Sequence, residues 1–458
     1  MASTYLSMAK STPTNAKKFT VSVWVKKSGT SSSSGYYIID SNGAASGSEC
    51  PVAFDSNQKL RFGEYNSGDV FNFICNAVSR DPNGWMHVVV AGDSTQSTAS
   101  NRVKIYINGE LQSGTGSYPS QNHDFGLTKG SSSFNIGRWL SGTSRYFDGA
   151  MSHFHFMDGY VYDPTPFGET DSTTGEWKIK ESVTGVTYGN NGFFILKDGN
   201  SVTDQSGNSN NFTVGGGTLT KTEDSPSNVF ATMNPLSCSS YGSLTNGNTS
   251  VAGNNNADVA QFFSTLSTGK TGKYYIEAKV TSYTGTRPGF GIGNDDNPNI
   301  GKNVTGGTAM TGEGNFTSPS FNYRLDGAIR VNASTTATYS TFTTGDIISI
   351  AVDMDNGASY VAKNGTWQNS GNPASGASKT GAITTWTAGS ISGFLINADI
   401  YYGASGTGNH ADADFNFGNG YFGTTAVSSA GTNASGNGIF EYDVPNGYTA
   451  LCTKGLNI

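Results

Sequence analysis

The chain has 458 residues, 61 of them Gly and 13 Pro, with 35% hydrophobic and 13% charged residues and a formal net charge of −7. That length exceeds what one hydrophobic core serves, so two domains are expected. Lys and Arg are scattered along an acidic chain, which speaks against nucleic acid as a partner, and no run approaches the roughly 20 apolar residues of a membrane span.

The opening Met1-Ala2-Ser3-Thr4-Tyr5-Leu6 lacks the apolar core of a secretory signal, so export by that route is not expected. Cys50, Cys75, Cys238 and Cys452 are far apart and show no paired-ligand spacing, which reads as buried free thiols. Ser, Thr, Asn and Gly dominate the polar residues and compete with helix through side-chain to backbone hydrogen bonds. Aromatics, at 12%, suit pleated, half-buried surfaces. The expectation is an all-β protein.

In chain order, Phe19-Thr20-Val21-Ser22-Val23-Trp24-Val25 alternates with period two and puts Phe19, Val21, Val23 and Val25 on one face. Further strands are expected at Tyr36–Asp40, Pro51–Phe54, Lys59–Glu64, Val70–Ala77, Trp85–Ala91, Val103–Ile107, Phe134–Trp139 and Phe147–Met157. Their connectors are Gly/Ser/Asn/Asp clusters, a cadence that marks a β-sandwich over 1–165. Asp163-Pro164-Thr165-Pro166 breaks the pattern, because each proline removes a donor and biases its predecessor away from helix. Residues 166–236 read as a connector with short strands, and Asp224-Ser225-Pro226-Ser227-Asn228 as its hinge. A second sandwich is expected over 237–458, with strands at Ala260–Leu266, Tyr274–Tyr283, Gly289–Gly293, Tyr323–Leu325, Ile347–Asp353, Ala358–Lys363, Gly393–Tyr402 and Asp414–Gly418.

One theme occurs in both halves: an apolar strand, a polar turn, a second strand, then Asn-Gly. It reads Trp85 to Val90 and Val103 to Gly109 in the first half, and Ile347 to Val352 and Ser359 to Gly365 in the second. Asn-Gly accepts the positive φ angles of a tight hairpin, so each copy predicts antiparallel sheet.

These residues carry a resemblance. Lys18–Lys27, Val103–Gly109 and Phe147-Asp148-Gly149-Ala150-Met151 resemble the laminin-G-like, concanavalin-type jelly rolls of tailed-phage virion proteins, marine ones in particular. Phe167-Gly168-Glu169-Thr170 and Asp204–Phe212 are similar to segments that follow that domain in such proteins. The later part resembles a SPRY-like jelly roll through Gly272–Glu277, Gly291-Ile292-Gly293, Gly345–Asn356, Lys363-Asn364-Gly365, Phe415–Gly418 and Pro445–Leu451. The resemblance implies two tandem jelly-roll β-sandwiches in a phage fibre, tail appendage or capsid decoration protein.

Glucan hydrolysis on such a fold needs two carboxylates flanking the scissile bond. The nearest pairs are Asp295/Asp296, Asp353/Asp355 and Asp412/Asp414. Asp353 and Asp355 fall in a turn ending Asn356-Gly357, where Asp caps backbone amides. That turn lacks the third acidic ligand and final Glu of a calcium loop. Calcium elsewhere stays open, with no residue set to place it, and no other cofactor is expected. His153 and His155, at i and i+2, with His87 nearby, have no third ligand and read as a strand's polar side. Ring-stacking residues in or beside loops are the weak ligand-binding candidates: Trp139, Tyr146, Trp367, Trp386, Tyr401 and Tyr402, with His410 and Asp412 as polar neighbours. The expectation is a non-enzymatic structural protein on the particle exterior, binding other virion proteins and host-surface glycans and self-associating with the particle's symmetry. The rival is a carbohydrate-active enzyme of the concanavalin-like class.

Overall fold

The computed structural model describes residues 3–29, 35–41, 48–130, 132–140, 142–180, 182–197, 202–238, 242–253, 260–285, 287–296, 319–331, 334–402 and 409–456. The chain is all-β and divides into two compact units, Met1–Lys221 with Ser225–Ser227 and Thr222–Asp224 with Asn228–Ile458. Helix among the described residues is confined to the 3₁₀ turns Ala99–Asn101, Gln368–Ser370 and Pro373–Ser378 and one α-helical turn, Thr453–Leu456. No helix among them is long and apolar enough to cross a membrane.

The first unit is a sandwich of two antiparallel sheets. The larger runs Gly114–Gly116, Asp69–Val78, Lys59–Asn66, Val52–Phe54, Tyr36–Ser41, Ser133–Ile136, Tyr5–Ala9, Thr213–Gly216, with Ser48–Glu49 also paired to Lys59–Asn66. The smaller runs Glu110–Leu111, Val103–Ile107, Trp85–Asp93, Lys18–Lys27, Gly149–Asp158, Phe193–Ile195. Phe19, Val21, Val23 and Val25 all enter the core, as their alternation predicts. Rings interlock across the layers, with Phe19 and Phe62 centroids 5.3 Å apart and Phe134 and Phe156 4.8 Å apart. Burying one such ring contributes about 1.5–3 kcal/mol. An exposed ion pair contributes about 0–1 kcal/mol, so the rings, not the charges, hold the sheets together.

The alternate residues Thr20, Ser22 and Trp24 are buried as well. The reason is that the smaller sheet's outer face is covered by the segment after it: Phe167, with Tyr162, Val183, Val186 and Tyr188, packs on Val89 and Met157. Residues 166–221, expected as connector, belong to the first unit and supply edge strands to both of its sheets, Phe193–Ile195 and Thr213–Gly216.

The second unit is built the same way. One layer holds Ser334–Thr338, Ala328–Val331, Phe321–Arg324, Gly289–Asn294, Phe394–Tyr402 and Ala260–Ser264, the last pairing Met233–Cys238. The other holds Gly242–Thr245, Ser250–Gly253, Asn409–Asn416, Lys273–Thr284, Ile347–Asp353, Ala358–Lys363 and Thr366–Trp367. Among the described residues the layers join at a corner, where Tyr401 pairs His410 and Tyr402 pairs Asn409. Phe290, Ile292, Ile396 and Tyr323 meet Ile276, Ile350, Val352 and Phe415 in the core. Short polar strands such as Gly242–Thr245 and Ser334–Thr338 have no apolar period and escaped the sequence reading. Cys50, Cys75 and Cys452 are buried free thiols; the Cys238 side chain lies outside the described residues.

Both Asn-Gly pairs are two-residue hairpin turns with positive φ at each residue, 48° and 82° at Asn108-Gly109 and 47° and 76° at Asn364-Gly365. Each Asn also clasps the strand before it. The Asn108 carboxamide oxygen accepts from His87 N at 2.8 Å while its N–H donates to His87 O at 2.9 Å. Asn364 makes the same two bonds to Ile347, both 2.8 Å.

The outer face of the second layer is covered by the C-terminal segment, through Phe440, Tyr448 and Cys452 on Tyr275 and Tyr360. Glu277, fully buried, holds that segment: its two carboxylate oxygens accept from Tyr442 N and Glu441 N, each at 2.9 Å, and from the Tyr275 hydroxyl at 3.0 Å. Burial pushes its carboxyl up to about 7, against the pull of the two backbone donors. A carboxyl raised on folding stabilises the fold below its unfolded value of about 4.5, and that contribution is lost as pH rises through about 7. The second unit should therefore lose on the order of 3 kcal/mol between these limits. Urea unfolding at stepped pH checks this: Glu277→Gln should flatten the slope, and an unchanged slope would assign it elsewhere.

Candidate functional site

On strand Tyr36–Ser41 the side chains of Tyr36 and Ile38 enter the core, so Tyr37 faces outward. The register puts Ala53 beside Tyr37 and Arg61 beside Ala53. Two strand spacings, about 10 Å, separate Tyr37 from Arg61. The small Ala53 leaves room between them, and the Arg61 guanidinium reaches back to donate to the Tyr37 phenol oxygen at 2.8 Å. A second guanidinium arrives from the loop after Ser133–Ile136: Arg145, with a left-handed φ of 59°, donates Nη1 to the same oxygen. Its guanidinium also lies 4.7 Å from the Trp139 ring centroid. The phenol in turn donates to Glu49, at 3.2 and 3.3 Å from its two oxygens. Glu49 pairs with Arg145 at 3.4 Å and Arg61 at 3.8 Å.

The phenol thus uses its one donor and both acceptor positions, and is itself fully buried. The charged groups above it stay open, with Glu49, Arg61 and Arg145 side chains 13%, 20% and 32% exposed. Burial pushes the Tyr37 hydroxyl up to about 12, with Arg61 opposing. Further along the same strand Asp40 is fully buried, its oxygens accepting from Cys50 N at 3.0 Å and Leu140 N at 2.9 Å. Burial raises its carboxyl to about 6 against those donors. The Trp139 indole N–H is buried without a hydrogen-bond acceptor. The result is a rigid polar floor carrying two cations, one anion and an indole on an outer sheet face.

Of the residues singled out in the sequence, Trp139 belongs to this cluster and Tyr146, half-buried, lies in its loop. The others fall in the second unit, where Tyr401 pairs with His410 in register while Trp367 and Trp386 pack in two different clusters. Trp367 packs at 6.4 Å from the rings of both Tyr275 and Tyr360. Trp386 is only 8% exposed and packs in the core, 4.9 Å from Phe394. Tyr401 and Tyr402 end a strand, and their side chains lie outside the described residues. His410 and Asp412 sit on Asn409–Asn416, Asp412 accepting from Ser282 Oγ at 2.7 Å and Gly253 N at 3.2 Å. Sequence reading missed Tyr37, Glu49, Arg61 and Arg145. The one available signal was the alternation that turns Tyr37 away from Tyr36 and Ile38.

The carboxylate pairs are occupied structurally. Asp353 caps Asn356 N at 2.9 Å and pairs with Lys273 at 3.1 Å, while Asp355 accepts from Gly272 N at 2.8 Å. Asp414 accepts from Ser250 Oγ, and Asp295 from Ser267 Oγ at 2.5 Å. The histidines do not share a site. A β-bulge between Ser152 and His155 sets His153 at a φ of 47° and breaks the alternation that would align it with His155. His155 stacks on Phe194 at 3.9 Å and bonds the Tyr188 hydroxyl at 2.9 Å. His87 contacts Ser22 Oγ at 2.8 Å, the geometry of a nucleophile and base, but Trp177 Nε1 donates to its Nδ1 at 3.1 Å. The proton of the neutral ring therefore sits on Nε2 and is donated to Ser22, so His87 cannot take the hydroxyl proton. Burial holds His87 neutral, its value pushed down to about 3. Among the described residues no three His, Cys, Asp or Glu side chains are grouped to hold a metal.

Residues 1–161 match the family model described as the Concanavalin A-like lectin/glucanases superfamily. No curated protein matches the sequence. Among solved structures the chain is similar to the SPRY domain of human HERC1, at 16% identity over 40% of this chain and 96% of that one, with a TM-score of 0.28. It is similar to stonustoxin at 15% identity over 41% of this chain and 27% of that one, TM-score 0.28. A heptameric SAP-like pentraxin from Limulus polyphemus aligns at 16% identity over 35% of this chain and 71% of that one, TM-score 0.26. The family model alone gives the first unit a concanavalin-like lectin/glucanase-type domain, and the Tyr37 cluster lies within the matched residues.

Tyr37→Phe removes one donor and two acceptor positions beneath two guanidinium groups. It should destabilise the first unit by about 1–3 kcal/mol in urea unfolding, and a loss below the error of the measurement would show that the phenol does not organise the cluster.

Proposed function

We propose that the chain is a non-enzymatic structural protein of a tailed-phage exterior, and that the outer face of the first unit's larger sheet binds host-surface glycans. The observation that carries the binding is the Tyr37, Arg61, Arg145, Glu49 and Trp139 cluster, set within residues matched to a lectin/glucanase family. Sugar hydroxyls are met by guanidinium donors and carboxylate acceptors held at fixed spacing, beside an indole whose N–H awaits an acceptor. The fixed phenol beneath removes most of the ordering cost that free arginines would bring. The residues that resemble phage virion jelly rolls support placement on the particle, as a fibre, tail appendage or capsid decoration, with other virion proteins and further copies of the chain as partners.

Support for a non-enzymatic reading is chemical. Glu49 is engaged by the Tyr37 phenol and two guanidinium groups, and Asp40 is fully buried with both oxygens accepting from backbone, so neither carboxyl is placed as one of a pair flanking a glycosidic bond. The cations of the site are its own arginines, so binding is proposed to need no calcium.

A glycan array with the purified chain should show hits that Trp139→Ala and Arg145→Ala each weaken at least tenfold, read at a temperature where circular dichroism shows each variant folded. Chelator should leave the hits in place, and the polysaccharide panel should remain uncleaved. Binding untouched by both substitutions would remove the site from this face. Labelled antibody on intact particles should decorate their exterior, and internal or absent label would end the virion assignment.

A further inference from the structure

The Tyr37 cluster is one end of a longer cationic row. Leu6 and Met8 enter the core, so Tyr5 on the same strand faces outward, as Tyr37 does. The strands of Tyr5 and Tyr37 flank Ser133–Ile136, which sets them two strand spacings, about 10 Å, apart across the sheet. Arg138, just beyond Ser133–Ile136, lays its guanidinium 3.6 Å from the Tyr5 ring centroid. Gly215 makes room for that ring, since a Cβ there would meet Tyr5 Cε2 at 2.2 Å. Arg61, Arg145 and Arg138 thus follow one another across the outer face, each backed by an aromatic ring. Arg61 lies 5.6 Å and Arg145 5.3 Å from the Tyr37 centroid, and Arg145 also 4.7 Å from that of Trp139.

Negative partners are fewer than the cations. Arg61 and Arg145 share the single carboxylate of Glu49, and among the described residues no carboxylate pairs with Arg138. Asp40, the other carboxylate on this strand, is enclosed, with its oxygens taken by Cys50 N and Leu140 N. Donors are left over as well. Among the described residues Arg61 donates through Nη2 and Arg145 through Nη1, which leaves Nε and the second Nη of each. Arg138 gives Nη2 to the Asn135 carboxamide oxygen at 3.1 Å, and its Nε is buried without an acceptor. The row is open to solvent, with the Arg61 and Arg145 side chains 20% and 32% exposed and Arg138 half-buried. A guanidinium presents parallel N–H groups that match the paired oxygens of a carboxylate or sulfate. A half-desolvated cation without a counter-charge favours such an anion over a neutral hydroxyl.

We propose that the glycan bound on this face is an acidic one, whose carboxylate or sulfate groups are held by Arg61, Arg145 and Arg138. This rests on the glycan-binding reading of the Tyr37 cluster and names its ligand class. Three cations on a chain of net charge −7 act at contact range and set up no field that would gather nucleic acid. Biolayer interferometry of the full chain on polygalacturonate, dextran sulfate and neutral dextran tests it, with every variant read where circular dichroism shows it folded. One or both acidic polymers should bind at least tenfold tighter than dextran, and the tighter of the two tells carboxylate from sulfate. Arg138→Ala, outside the Tyr37 cluster, should weaken that binding at least threefold. Glu49→Gln keeps the side chain's shape and removes the carboxylate that competes for Arg61 and Arg145, so it should strengthen acidic binding at least threefold. A neutral glycan would instead lose an acceptor there and bind more weakly. Weaker acidic binding in Glu49→Gln, acidic binding untouched by Arg138→Ala, or equal competition by duplex DNA would overturn the proposal. Neutral glycans bound through Trp139 with neither acidic polymer bound would overturn it and leave glycan binding in place. Binding to no glycan, acidic or neutral, would remove both readings.

Discussion

Strand register is the constraint on which the rest of this molecule depends. A slip of one residue exchanges the core face for the outer face along a whole strand. Asn108 and Asn364 guard against that slip in the same way: each turns a hairpin with its backbone and clasps a residue at or near the start of the preceding strand, His87 or Ile347, with its carboxamide oxygen and its backbone N–H. Three strands are thereby locked together in each unit, and everything that projects from them is placed by that lock. His87, fixed by Asn108, is held against Ser22 and Trp177, and Ile347, fixed by Asn364, opens the strand that packs Ile348, Ile350 and Val352.

Both units also cover one outer sheet face with the chain that follows. In the first, Phe167, Tyr188 and Trp177 close over a face bearing His87 and His155, and burial holds both rings neutral. In the second, the C-terminal segment closes over Tyr275 and Tyr360 and is held by Glu277. The covering explains why the most suggestive catalytic geometry, Ser22 against His87, is inert. It also leaves chemistry to the faces not covered in this way, and the larger sheet of the first unit carries its charged groups on one of them.

Much of the fold was legible in the sequence. Phe19 to Val25, Val103 to Gly109 and Ile347 to Gly365 carry period, length and turn chemistry in contiguous residues, and these local signals are what strands and hairpins are made of. The short polar strands, and the folding of residues 166–221 into the first unit, were not legible, because pairing across tens to hundreds of residues leaves no local trace. The site was nearly invisible for the same reason. Trp139 stood out as a loop aromatic, but Tyr37, Glu49, Arg61 and Arg145 come together through Ala53's small size and the left-handed turn at Arg145. The sequence by itself determined an all-β chain of two sandwiches with Asn-Gly hairpins, since alternation and turn preference act between neighbours. Only the tertiary structure decided which polar residues meet and which faces are covered, since those follow from register and packing between distant strands.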